Sequence, residues 1–177
     1  MVSVDFVTQV LSVLSFIGGA FILGFLGVLI YHKIWGKKEL KFGFLEEYSL
    51  LFAFLIALAA TLGSLFYSEI AGYIPCKLCW FQRIFMYPLV LIFGIALVRK
   101  ARDIIYYTIP LTVIGGAISI YHYTLQRAES VVPCVVGEVS CNSRYISHLG
   151  DMTIPMMTII AFGLIIIFSY LWNRTRR

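Results

Sequence analysis

Five long apolar runs, separated by short polar stretches, account for most of the chain. They extend roughly over Thr8–Tyr31, Glu46–Ser68, Trp80–Val98, Ile104–Gln126 and Thr153–Trp172. A helix needs about 20 predominantly apolar residues to cross the hydrocarbon of a bilayer, and each run is long enough. Backbone polar groups find no water in hydrocarbon, so each crossing segment is predicted to be helical. The predicted fold is therefore all-α: a multi-pass membrane helix bundle with a four-helix core and one extra N-terminal transmembrane helix. Residues 1–45 would hold that extra helix and a cytoplasmic loop, and residues 46–177 the core.

Composition agrees with this picture. Of 177 residues, 60% are hydrophobic and 13% charged, more apolar surface than a soluble domain of this size can hide. The net charge of +5 would suit a nucleic-acid binder, but the positions of the charges argue otherwise. Lys33, Lys37, Lys38 and Lys41 lie between the first two runs, Arg99, Lys100 and Arg102 between the third and fourth, and Arg174, Arg176 and Arg177 after the fifth. If the spans alternate, these ten share one side and only Lys77, Arg83, Arg127 and Arg144 lie on the other. The positive-inside rule then predicts an N-terminus outside, three basic segments in the cytoplasm and a cytoplasmic C-terminus. The basic residues are topology signals, and no nucleic-acid partner is expected.

No Lys or Arg occurs before Gln9, and the first run is too long for a signal peptide, so it is expected to be retained. Its glycines (Gly18, Gly19, Gly24 and Gly27) permit close helix packing. This helix carries no evident chemistry and is expected on the outside of the core. His32 suits the membrane interface, as do Tyr73 and Trp80. Pro88 is expected to kink the third span.

The chemistry concentrates in Cys76-Lys77-Leu78-Cys79-Trp80-Phe81-Gln82-Arg83. A C-x-x-C pair stands where a polar connection becomes an apolar helix, and unpaired N–H groups at a helix start lower a thiol's pKa. An arginine within an apolar segment is expensive and marks a functional site. On the fourth run, His122 and Gln126 are four apart and share a face. His122 lies about one turn below its outer end, matching the depth of Arg83. Cys134 and Cys141 occupy the longest outer segment, so all four cysteines are predicted on the extracytoplasmic side. Structural disulfides and a four-thiolate zinc site are alternatives, but the helix start and the neighbouring arginine favour two redox pairs in series. No metal is expected.

The run from Cys76 to Pro88, with His122, Gln126, Cys134 and Cys141, resembles the DsbB/BdbC-type thiol–quinone oxidoreductases, and the BdbC branch in particular. The resemblance covers about Glu46 to Trp172. Two features depart from it: the extra first span and the close spacing of the second cysteine pair. The resemblance implies that an extracytoplasmic thioredoxin-like thiol oxidase of the DsbA/BdbD type attacks a Cys134–Cys141 disulfide, with Cys134 as the mixed-disulfide partner. The electron pair would pass to Cys76–Cys79 and from Cys79 to a quinone, menaquinone or ubiquinone. Arg83, His122 and Gln126 would bind the quinone beside Cys79, with Trp80, Phe81 and Leu125 lining its slot. Two rivals are a reductive enzyme of the vitamin K epoxide reductase type and a membrane protein with two structural disulfides. In the former the loop cysteines precede the C-x-x-C, which is the reverse of the order here.

Overall fold

A computed structural model of the chain describes residues 4–35, 43–99, 101, 103–127 and 152–175. The loop with Cys134 and Cys141 lies outside the described residues, as do Lys37, Lys38, Lys41, Lys100, Arg102, Arg144, Arg176 and Arg177. The described chain is helical: α1 (Val4–Trp35), the short α2 (Gly43–Glu47), α3 (Ser49–Leu65) running into a π-helical turn (Phe66–Ile70), α4 (Lys77–Arg99), α5 (Ile105–Arg127) and α6 (Ile154–Thr175).

Four of these elements are long and apolar enough to cross a membrane: Val4–Trp35, Ser49–Ile70, Lys77–Arg99 and Ile154–Arg174. The chain is an all-α membrane bundle. The fifth expected span, α5, is 23 residues long like α4 but is less apolar. Its polar side chains explain the difference. Thr108, Thr112, Ser119, His122 and Gln126 recur at helical spacing on one buried face. Two of the hydroxyls are satisfied locally, Thr112 by the Thr108 carbonyl and Ser119 by the Gly115 carbonyl.

Helices α3, α4, α5 and α6 form a closed ring in which each packs on the next and α6 returns to α3. Ala53, Ala57, Leu89, Phe93, Ala96, Phe162, Ile165 and Leu171 are nearly or fully buried at its centre. Helix α1 lies outside the ring against α6. Outward-facing Leu23, Leu91 and Val98 are more than two-thirds exposed, as a lipid-facing surface requires. Small residues set the close approaches. A Cβ on Gly115 would run into the Phe162 ring, and one on Gly18 would come 2.8 Å from Leu164.

The connection from α3 to α4 shapes the site. The π-helical turn closes with Ala71 N–H donating to the Phe66 carbonyl. Gly72 then takes φ +70°, a left-handed conformation open to glycine at little cost. The chain turns back, Tyr73 stacks on Tyr67 with ring centroids 6.0 Å apart, and α4 begins.

Candidate functional site

Cys76 caps α4. Its carbonyl accepts from Trp80 N–H at 3.1 Å, and its sulfur accepts from Cys79 N–H at 3.4 Å. These are the bonds that a Ser or Asp cap makes at a helix start, with a thiol in the capping position. The two sulfurs are unbridged and lie 3.0 Å apart. Cys76 is buried and Cys79 half-buried.

The two thiols differ in chemistry. Ahead of the span, the hydrogen bond with Cys79 and then burial push the Cys76 thiol up to about 12, against a smaller downward pull from His122. Cys76 therefore keeps its proton in neutral water, leaving Cys79 as the sulfur available for attack. Cys79 also stands at the third residue of the helix, within reach of the positive end of its dipole.

Behind Cys76 lies a buried polar pair. His122 Nε2 is 3.7 Å from Cys76 Sγ, and His122 Nδ1 is 3.2 Å from Gln82 Nε2. His122 is 2% exposed and Gln82 5%. Gln82 was not among the residues expected from the sequence. A glutamine within an apolar span, on the Cys79 face three residues on, was the available signal. Gln126 is also buried, one turn beyond His122.

Beside Cys79 a cavity of about 350 Å³ opens between helices. From α4 its wall takes Cys79, Gln82, Arg83 and Met86, spaced as one helical face. From α3 come Ala59, Ala60, Gly63 and Ser64, from the loop Tyr73 and Pro75, and from α6 Met157 and Ala161. Arg83 is half-buried in that wall. Arg83 Nη2 donates to the Ser64 carbonyl at 3.0 Å, two residues ahead of the π-helical turn, and the guanidinium lies 5.4 Å from the Trp80 ring centre.

The structure therefore divides the expected site residues. Cys76, Cys79 and His122 come together, and Cys79 and Arg83 share the cavity, whose described lining does not include His122 or Gln126. Trp80 and Phe81, expected in the slot, are 55% and 49% exposed and do not line it. Helical periodicity turns them outward when positions 79, 82, 83 and 86 face in. Leu125 is absent from the described lining as well. The two sulfurs and one imidazole nitrogen lie within 4.8 Å of one another, a donor set that could also grip a soft metal ion.

Comparison with known proteins gives this arrangement a family. Residues 46–172 match the family model described as disulfide bond formation protein DsbB. The chain belongs to the DsbB family. Disulfide bond formation protein C of Bacillus subtilis is 49% identical over 122 residues, covering 67% of this chain and 88% of the relative. The probable disulfide formation protein C 1 of Bacillus cereus is 45% identical over 128 residues, covering 71% and 92%. The SPbeta prophage-derived disulfide bond formation protein B of Bacillus subtilis is 42% identical over 116 residues, covering 65% and 78%. No solved structure matches. Membership of the DsbB family assigns the chain to disulfide bond formation, an oxidoreductase role, in a membrane.

Proposed function

We propose that this DsbB-family protein is a thiol–quinone oxidoreductase working at the extracytoplasmic face of the cell membrane, with its N-terminus outside and its C-terminus in the cytoplasm. It accepts an electron pair from a reduced thioredoxin-like thiol oxidase of the DsbA/BdbD type through Cys134 and Cys141. The pair moves to Cys76–Cys79 by thiol–disulfide exchange and then to a quinone, menaquinone or ubiquinone. One observation carries this reading: a close dithiol whose available sulfur, Cys79, opens into an apolar cavity that Arg83 also lines. The cavity's size lies in the range of small-molecule sites, and its mix of apolar wall with few polar groups suits a ring that carries two carbonyl oxygens.

A bound quinone supplies an acceptor for two electrons and two protons, matching the two thiols that become one disulfide. The protein's residues divide the remaining work. Cys79 presents its sulfur to the cavity, and Cys76 closes the disulfide onto Cys79. His122 Nε2, 3.7 Å from the Cys76 sulfur, is placed to take the proton that Cys76 must lose. The Gln82 carboxamide offers both a donor and an acceptor, so it holds His122 whichever ring nitrogen is protonated. Arg83, fixed by Ser64 and Trp80, keeps a permanent positive charge where negative charge develops. The order of the cysteines, C-x-x-C first, favours this direction over a vitamin K epoxide reductase-type reaction.

Replacing Cys79 with Ala is expected to abolish thiol-dependent quinone reduction by the purified protein; retained activity would defeat the assignment. Arg83→Ala is expected to lower kcat/KM for quinone by about a hundredfold, the effect typical of removing a preorganised charge donor. Folding should be kept, because Arg83 is only half-buried and lines a cavity rather than the packed core. An unchanged kcat/KM would remove Arg83 from the reaction.

A further inference from the structure

Helix α1 lies outside residues 46–172, the part matched to the family. Its sequence shows no chemistry, and against the ring it packs mainly on α6. Yet it reaches the cavity. Leu11, Leu14 and Ser15 stand three and four residues apart on one face, and all three line it. The approach is close: a Cβ on Gly63 would come within 2.9 Å of the Leu11 side chain. Gly63 immediately precedes Ser64, whose carbonyl holds Arg83. One turn earlier on α1, Thr8 accepts a buried hydrogen bond of 3.3 Å from the Tyr67 hydroxyl. Tyr67 belongs to the π-helical turn and lines the same cavity. The helix that the family comparison leaves out is thus attached at the level of Arg83 and Tyr67, and contributes wall between them.

We propose that α1 is a working wall of the quinone cavity and that Leu11, Leu14 and Ser15 set which quinones fit it. This rests on the reading of the cavity as a quinone site. Without α1, the α3 side of the cavity at Gly63 would face lipid, and discrimination there would fall to the acyl chains. With α1 in place, apolar side chains of fixed size bound the ring and the first part of its tail. Ser15 leaves room in that wall, and Leu11 fills it. The size of these two side chains should therefore set the volume open to the ligand, independently of the thiol chemistry at Cys79.

The test is direct binding. Full-length protein in detergent is equilibrated with a naphthoquinone, in a short-tail and a long-tail form, and bound ligand is measured by ultrafiltration. Ser15→Trp is expected to weaken binding of both by at least about tenfold, since small steric changes in an apolar pocket carry effects of that order. Leu11→Ala is expected to shift the preference toward the bulkier ligand. Leu23→Trp, on the lipid side of α1, should change neither. If wild-type protein binds quinone and both Ser15→Trp and Leu11→Ala bind like it, α1 is no wall. If Ser15→Trp fails to fold, the Leu11→Ala preference alone decides the matter. If wild-type protein binds no quinone, the reading of the cavity itself fails, a result distinct from the first.

Discussion

Cys76 and Cys79 have the same side chain, and their surroundings make them different. Cys76 caps a helix, shares a hydrogen bond with the Cys79 sulfur and is buried, so its thiol is held up at about 12. Below that value its thiolate fraction, and therefore its reactivity, rises about tenfold per pH unit. Because the hydrogen bond with Cys79 is the largest cause, Cys79→Ala should lower the Cys76 value and speed its alkylation at pH 8. His122 pulls the other way, so His122→Ala should raise the value and slow alkylation. Peptide mapping after timed treatment with a small alkylating reagent reads both. Equal rates in the two variants would refute the assigned causes. Most of this was not legible in the sequence. The C-x-x-C and Arg83 were visible by spacing, but the link from Gln82 through His122 to Cys76 joins two helices. The partner that holds Arg83 is a backbone carbonyl, and a carbonyl has no letter of its own.

Among the helices, α5 shows why polarity in a span need not argue against one. Thr108, Thr112, Ser119, His122 and Gln126 line its buried face, while Tyr106, Tyr107, Val113, Ile114, Ile120 and Tyr121 face outward. A hydropathy average penalises this arrangement, although length and placement in the ring make α5 the equal of α4. Its seam with α6 is tight at one point, where Gly115 meets Phe162. Gly115→Ala is expected to destabilise the bundle by about 1–3 kcal/mol, the usual effect of overpacking. Gly27→Ala, where an added Cβ meets nothing, should be neutral or slightly stabilising through helix propensity. Thermal unfolding in one detergent compares the pair, and equal midpoints would show that the α5–α6 seam is soft. Trp80 and Phe81, expected in a quinone slot, lie outside the described lining of the cavity. Positions 80 and 81, one and two residues past Cys79, turn away from the face that Cys79, Gln82, Arg83 and Met86 share.

For the whole protein, hydrophobic runs of membrane length foretold the number and order of the long helices, because hydrocarbon permits so few alternatives. Charge placement supplied the proposed orientation. After mild reduction of whole cells, a membrane-impermeant maleimide is expected to label the loop cysteines and Cys79; cysteines protected until the cells are lysed would reverse the topology. The attachment of α1 to the cavity could not be foreseen, since it depends on which face of a nearly uniform apolar helix meets a partner. The π-helical turn was equally hidden. Such a turn is an ordinary helix carrying one surplus residue. Deleting a single residue between Phe66 and Ile70 would let the helix run on regularly, but would rotate all that follows by about 100°. Tyr73 and Pro75 would leave the cavity wall, and Cys76 would lose its place beside His122. In this protein the reactive pair is aimed by a one-residue insertion in the preceding span.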